Sequence, residues 1–117
     1  MGGLRLAAVI IAAVHAFAIA AGAQNAAHQA DPEAGRTLAL HACDTCHIVT
    51  ANQQHPSPLL GYGPSFFDVA NRPDVTAGSL EAFLSHPHSL GNMPSPALNA
   101  AQVADVAAYI LSLRGRP

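Results

Sequence analysis

Apolar residues recur at helical spacing near the end of the chain, and they form the clearest secondary-structure pattern in the sequence. Asn99, with Gln102 three residues later, is typical of a capping box at a helix start. Intervals of three and four residues then separate a set of apolar side chains, which places them on one face of a helix. This set comprises Val103, Val106, Ala107, Ile110 and Leu111. Gly115 stands where a helix-terminating glycine is expected, so the pattern predicts a helix between Asn99 and Gly115.

A second helix is predicted from its start signals. Asp31 is a favourable N-cap residue, and Pro32 suits the first helical position because no intrahelical partner is needed there for its missing N–H. We expect this helix to run from Pro32 to about Ala42. Gly35 within it offers a point where a neighbouring backbone can approach closely.

Two shorter helices are predicted in the middle of the chain. Ser65–Asn71 (SFFDVAN) is expected to form a short helix that Arg72-Pro73 stops, because the residue before a proline is biased away from helical geometry. Thr76 is the expected N-cap of the next helix, which His86-Pro87 ends.

The remaining segments predict loops. Ala51–Pro64 and His88–Leu98 are rich in proline and glycine, and no stretch of useful length alternates apolar and polar residues as a strand would. The sequence therefore predicts an all-α fold of short helices joined by long loops.

The first 23 residues are typical of an export signal. Arg5 supplies positive charge, an apolar run follows over Leu6–Ala21, and Ala21-Gly22-Ala23 has the pattern that precedes signal-peptidase cleavage. We expect a signal peptide over residues 1–23, a flexible tail over 24–30 and a single domain over 31–117. The alternative is an uncleaved membrane anchor, since Leu6–Ala23 reaches the lower length limit for spanning a bilayer.

Composition narrows the class of protein. The chain has 117 residues, of which 50% are hydrophobic and 10% are charged, as expected for one small globular domain and not for a disordered segment. It contains no lysine and has a net charge of −2, so it lacks the basic clusters with which proteins bind nucleic acids. A few short helices with sparse aromatic residues bury little apolar area. A large apolar cofactor at the centre would supply the missing stability.

Cys43-Asp44-Thr45-Cys46-His47 has the C-x-x-C-H spacing of a c-type haem attachment site. Residues three apart lie on one face of a helical turn, so both thiols can add to the two vinyl groups on one porphyrin edge. His47 then falls beneath the ring with its imidazole directed at iron. The motif predicts one covalent haem c, with Cys43 and Cys46 as thioether sites and His47 as an axial ligand.

Two other chemistries use cysteine pairs. A thioredoxin-like redox pair lies at a helix start in a βαβ setting, and this chain predicts no strands. A zinc site could recruit His86 and His88, but their H-x-H spacing is short and there is no second cysteine pair. Haem attachment is therefore the favoured interpretation.

These motifs together resemble the monohaem class I c-type cytochromes, from about Asp31 to Arg114. The resemblance rests on a helix ahead of CDTCH, a Gly63-Pro64 pair, a Met93-Pro94 loop and a terminal helix reading DVAAYILSLR. It implies a class I cytochrome c fold, in which short helices and long loops wrap round one covalently bound haem and the N- and C-terminal helices cross. The residues implied at the crossing are Gly35, Leu38, Val106, Tyr109 and Ile110.

The resemblance also implies further contacts around the haem. The carbonyl of Pro64 would accept a hydrogen bond from Nδ1–H of His47, which fixes the tautomer and strengthens the imidazole as a donor to iron. Arg72 would lie near a haem propionate, and Phe66 and Tyr62 would be cofactor contacts. Each has a simpler alternative: a loop turn at Pro64, an exposed charge at Arg72, and core packing for the aromatic residues.

Met93 is the candidate for the second axial ligand. It is the only methionine besides the initiator, and it lies in a loop punctuated by glycine and proline, away from any helical stripe. A thioether sulfur favours ferrous iron and raises the reduction potential. The alternatives are a histidine (His55, His86 or His88) and an open sixth site.

Two protein ligands would leave iron no position for a substrate, which predicts a periplasmic one-electron carrier and no enzyme. We expect a monomer that exchanges electrons between a donor dehydrogenase or cytochrome complex and an acceptor oxidase or reductase. The alternatives are a haem c subunit of a periplasmic dehydrogenase complex and a haem enzyme with an open sixth site. Without lysines, docking is expected to use an apolar patch near Pro94, Pro96 and Ala97, with weak electrostatic steering.

Overall fold

The computed structural model describes residues 27–53, 63–86 and 97–116. These residues form four helices and no strand, which confirms the all-α prediction. The helices are α1 (Pro32–Ala42), α2 (Phe66–Asn71), α3 (Ala77–Ser85) and α4 (Ala100–Ser112). The predicted signal peptide and most of the two predicted loops lie outside the described residues. None of the helices in the described ranges is long and apolar enough to span a membrane.

Side-chain caps begin α1, α3 and α4 where the sequence predicts. Asp31 accepts a hydrogen bond from the N–H of Glu33 at 2.9 Å at the start of α1. The predicted capping box of α4 is present, because Asn99 and Gln102 each accept the other's backbone N–H at 3.0 Å. Thr76 forms a second capping box with Ser79 at the start of α3.

The end of α4 differs from the predicted end by one residue. Leu113 is the C-cap, so Gly115 lies two residues beyond the cap and not next to it. Arg114 and Arg116 donate their backbone N–H groups to carbonyls three residues earlier, which adds a tight final turn before the chain leaves the helix. Gly115 takes the left-handed conformation, with φ of 75°, in that turn.

The crossing of α1 and α4 is the main packing contact of the fold. Gly35 is buried there, and a Cβ atom at this position would overlap the carbonyl of Asp105 and lie 2.9 Å from the N of Val106. Because Gly35 has no side chain, the backbones of α1 and α4 are in direct contact at this point. Val106 and Ile110 are buried in the core, and Leu38 packs against it, as the resemblance implies.

Helix α4 is the centre of the described fold, because α1, α2 and α3 all pack against it. The core around it consists mainly of small and medium side chains. Its buried hydrophobic members are Ala39, Cys43, Val49, Phe66, Ala70, Leu80, Leu84, Val103, Val106, Ala107, Tyr109, Ile110 and Leu113. Val49 and Val106 are the largest side chains that are fully buried.

The segment before α1 makes a contact that the sequence does not indicate. Nε2 of His28 lies 2.7 Å from Oδ1 of Asp105, and the N–H of Asp31 donates to the same oxygen at 2.8 Å. These hydrogen bonds hold the pKa of Asp105 below its usual value, with that from Asp31 the stronger cause and His28 adding to it. The carboxylate of Asp105 in α4 thus holds in place the residues that precede α1.

Candidate functional site

The CDTCH motif forms a tight turn at the end of α1. Cys43 caps this helix through its N–H, which donates to the carbonyl of Ala39 at 2.9 Å. Cys46 and His47 then both donate their N–H groups to the carbonyl of Cys43, at 3.1 and 2.9 Å. The carboxyl end of α1 therefore continues into one further turn, which carries both cysteines and the histidine.

The two cysteines are unpaired thiols. Cys43 is buried and Cys46 is half-buried. Burial raises the pKa of the Cys43 thiol to about 11, and the nearby charges of Asp44 and Cys46 raise it further in the same direction. Cys43 is therefore a protonated thiol at neutral pH.

The imidazole of His47 is held by the segment that precedes α2. Its Nδ1 lies 2.7 Å from the carbonyl oxygen of Pro64, so Nδ1–H donates this bond and Nε2 remains for another partner. Gly63 donates its N–H to the carbonyl of Cys46 at 2.7 Å. A Cβ at Gly63 would lie 2.5 Å from Nδ1 and 2.7 Å from Nε2 of His47, so only glycine leaves room for the ring here.

Aromatic rings continue from His47 into the core. The centroid of Phe66 lies 5.4 Å from that of His47, with an angle of 48° between the planes. Tyr109 of α4 contacts the other side of this cluster, with its centroid 6.4 Å from that of Phe66 in an edge-on arrangement. The candidate ligand is therefore packed, through Phe66, against the central helix of the fold.

The sequence interpretation missed residues that support this turn. The Gly63-Pro64 pair is visible in the sequence, but nothing in it indicates that Gly63 contacts the imidazole. Gln53 bonds three backbone groups between Asp44 and Val49, and nothing in its local pattern distinguishes it from any other loop glutamine. Tyr109 donates its hydroxyl hydrogen bond to the carbonyl of Val49, a contact across 60 residues of sequence.

The other candidate residues fall into two groups. Arg72 is exposed and is the C-cap of α2, and His86 is the C-cap of α3 with its Nδ1 2.7 Å from the carbonyl oxygen of Ala82. Tyr62, Met93, His55 and His88 lie outside the described residues. Within the described segments, no group of three or more His, Cys, Asp or Glu side chains is placed to hold a metal ion.

The comparison with known proteins identifies this arrangement. The model of the Cytochrome c family matches residues 32–114, which is most of the chain. The chain belongs to the cytochrome c family. It is also similar to cytochrome c-552 of Bradyrhizobium diazoefficiens, with 40% identity over 94 residues that cover 80% of this chain and 86% of the relative. No solved structure gives a significant match.

Membership of the cytochrome c family means that the protein binds haem c covalently, with its iron, and transfers electrons with redox protein partners. The described residues fit this cofactor. Two unpaired thiols lie on one turn, and the imidazole beside them has Nδ1 engaged and Nε2 available.

Proposed function

We propose that this protein is an exported one-electron carrier. In this proposal Cys43 and Cys46 attach the haem, and His47 and Met93 are the axial iron ligands. The observation that carries it is the 2.7 Å hydrogen bond between Nδ1 of His47 and the carbonyl of Pro64. When bound, haem c supplies one iron that alternates between the ferrous and ferric states.

Each residue near the turn has a separate role in this proposal. Pro64 fixes the tautomer of His47 and makes Nε2 a stronger donor. Phe66 packs against the imidazole at an angle of 48° and helps to hold the ring in place. Arg72, exposed at the end of α2, would supply positive charge for a propionate, and Tyr62 is proposed as a further residue that binds the cofactor.

Whether Met93 binds the iron distinguishes an electron carrier from a haem enzyme. If His47 and Met93 both held the iron, no coordination position would be left for a substrate. Electron transfer then needs only approach of the partner to the haem edge. An open site in place of Met93 would instead favour ligand binding and peroxide chemistry.

The proposed periplasmic location of the carrier rests on the predicted signal peptide. Cleavage after Ala23 would release the protein into the periplasm, where a donor dehydrogenase or cytochrome complex and an acceptor oxidase or reductase are the expected partners. A tightly held subunit of a dehydrogenase would carry the same haem site. Gel filtration of native extract separates these cases, because a free carrier elutes at the size of a monomer.

Docking with these partners should depend weakly on salt. The chain has no lysine and only five arginines, so no basic ring is available for steering toward an acidic partner. We expect the electron-transfer rate, measured by stopped flow, to change little between low and physiological ionic strength. A steep fall in rate over that range would show that charge pairing dominates docking.

Replacement of Met93 by Ala tests the proposed ligand set. The haem should stay attached through Cys43 and Cys46, while the reduction potential falls because the thioether's preference for ferrous iron is lost. Carbon monoxide should bind the reduced variant rapidly, and peroxide turnover should appear. Met93→His should lower the potential and keep the site closed.

The wild-type protein provides the matching control. Its ferric form should show the near-infrared band of sulfur-to-iron charge transfer, and its ferrous form should bind carbon monoxide poorly. If the band is missing and the wild type binds carbon monoxide as readily as Met93→Ala, Met93 is not a ligand and the haem-enzyme interpretation takes its place.

A further inference from the structure

The segment that follows His47 has no regular secondary structure, so its backbone groups need partners from elsewhere. Val49 lies in this segment and is fully buried. The carbonyl of Ile48 accepts the N–H of Phe66 at 2.9 Å, and the carbonyl of Val49 accepts the hydroxyl of Tyr109. Two carbonyls of the segment thus have partners in α2 and α4.

Gln53 is the partner of three further backbone groups around His47. Its Oε1 accepts the N–H of Val49 at 2.7 Å. Its Nε2 donates to the carbonyl of Asp44 at 2.8 Å and to the carbonyl of His47 at 2.7 Å. The amide group uses its oxygen and both of its N–H bonds at once, so it is directed entirely at the backbone.

The backbone of His47 is held on both sides of its side chain. Its N–H donates to the carbonyl of Cys43 at 2.9 Å, and its own carbonyl accepts the bond from Gln53. Among the described residues, no backbone N–H donates to the carbonyl of His47, so the fold satisfies this buried group through the glutamine. The ring is held separately, because Nδ1 donates to the carbonyl of Pro64.

These hydrogen bonds act at opposite ends of one side chain. Rotatable single bonds link the backbone of His47 to its ring. With Nδ1 held by Pro64 and the backbone held by Cys43 and Gln53, the imidazole cannot turn far without breaking one of the bonds. Loss of the bond from Gln53 would free the peptide group between His47 and Ile48, which adjoins the point where the side chain begins.

We propose that Gln53 is a positioning residue for the iron ligand, and that its NH₂ group fixes the orientation of the His47 imidazole in the folded holoprotein. This inference rests on the proposed role of His47 as an axial ligand. It concerns the protein after haem has been attached, when the chain is folded and these hydrogen bonds are formed. A firmly held imidazole with its Nδ1–H bonded is a stronger donor to iron, which favours the ferric state and lowers the reduction potential.

Gln53→Met and Gln53→Asn test this role in the haem-loaded full chain. Methionine is similar in length and removes all three hydrogen bonds. Asparagine keeps the amide group but is one methylene shorter, so it cannot reach all three backbone groups. Gln102→Met is the matched control, because it removes a glutamine that accepts a backbone N–H at the start of α4 instead.

The first readout is the proton NMR spectrum of the ferric holoprotein. Unpaired electron density shifts the ring protons of an iron-bound histidine and the methyl protons of the haem, and these shifts depend on the orientation of the axial ligand. We expect them to change in Gln53→Met, to change less in Gln53→Asn and to keep their wild-type values in Gln102→Met. The second readout is the reduction potential, which should rise in the two Gln53 variants and stay unchanged in Gln102→Met.

Thermal unfolding of the same proteins separates positioning from stability. Both methionine variants should unfold at a lower temperature than the wild type, but only Gln53→Met should change the NMR shifts and the potential. If Gln53→Met keeps the wild-type shifts and potential, the inference is wrong. It is equally wrong if Gln102→Met changes both readouts as much as Gln53→Met does, since loss of stability alone would then explain them.

Two further outcomes are distinguishable from these. If Gln53→Met gives no haem-loaded protein, Gln53→Asn carries the test, and wild-type shifts and potential in that variant overturn the inference. If the ferric wild type shows no strongly shifted histidine ring protons, His47 is not an iron ligand, and the proposed ligand set fails together with the role of Gln53.

Discussion

His47 is held on several sides by contacts that come from one short stretch of the chain. Pro64 holds Nδ1, Gly63 leaves space for the ring, and Phe66 packs against its plane. Two of these three residues precede α2 and one begins it, so a single short segment shapes the surroundings of the imidazole. The orientation of His47 is therefore sensitive to small changes in that segment.

Gly63→Ala should displace the imidazole. The added methyl group would overlap the ring, which the carbonyl of Pro64 prevents from moving freely. We expect the free energy of unfolding to fall by about 1–3 kcal/mol, in the range typical of overpacking. The reduction potential should rise, because a longer Nδ1–H···O bond leaves Nε2 a weaker donor. Thermal unfolding and redox titration of the holoprotein measure both effects.

Gly78→Ala is the matched control for this variant. Gly78 lies in the first turn of α3, and a Cβ there meets no atom within 4 Å. Alanine should stabilise the helix by about 0.5–1 kcal/mol and leave the potential unchanged. If Gly63→Ala behaves like Gly78→Ala, the close contact with His47 has no energetic consequence.

At the scale of the helices, the close contact of α1 with α4 at Gly35 is important for the stability of the fold. Gly35→Ala combines two opposing effects: alanine favours the helix by about 0.5–1 kcal/mol, but its methyl group would overlap the backbone of Asp105. A backbone carbonyl cannot rotate away as a flexible side chain can, so α1 and α4 must separate. We expect a net loss of about 1–3 kcal/mol. Chemical denaturation should place this variant well below Gly78→Ala, and equal stability of the two would contradict the close crossing.

The contact between His28 and Asp105 makes the stability of the same crossing depend on pH. Asp105 has a lowered pKa, so it contributes stability above the usual carboxyl pKa and loses it as the pH falls through its value in the folded protein. Asp105→Asn should therefore be less stable than the wild type at neutral pH, and the difference should narrow on acidification. Thermal unfolding of both holoproteins between neutral and acidic pH measures this.

Asp74→Asn controls for the loss of one carboxylate, because Asp74 is exposed in the turn before α3. This variant should follow the wild type throughout the titration. Parallel curves for the wild type and Asp105→Asn would show that the hydrogen bonds from Asp31 and His28 do not stabilise the charged form.

At the scale of the whole molecule, alanine, cysteine and valine occupy about half of the buried core positions among the described residues. Valines are the largest fully buried side chains of the described residues, and alanines fill several of the remaining core positions. Burial of such side chains contributes less than burial of leucine or phenylalanine, while the ordering entropy per residue is similar. We therefore expect the bound haem to supply part of the apolar contact that stabilises the fold.

Expression without the cytochrome c maturation machinery tests this dependence. The chain should then be mostly unfolded, because metal and cofactor binding contribute directly to folding in small domains of this kind. Circular dichroism should show much less helix than in the holoprotein, and heating should give no cooperative transition. A haem-free form with holoprotein-like helix content and a cooperative melt would show that the core is sufficient alone.

The sequence by itself determined the helices and the attachment motif. Caps such as Asp31 and Asn99, and the spacing of apolar residues, act within a few residues, so the bounds of α1 and the start of α4 followed from local rules. The C-x-x-C-H motif is local for the same reason. The contact between Pro64 and His47 was implied only by resemblance to the family.

Only the tertiary structure decided which distant groups meet. The contacts of Gln53 with the attachment turn, of Tyr109 with Val49, and of His28 with Asp105 depend on how the loops lie against α4. Such polar contacts have no periodicity, because a buried backbone group accepts any donor that the fold brings within reach. The packing of α1 on α4 through Gly35 selects those donors, and a loop glutamine becomes part of the site only after the chain has folded.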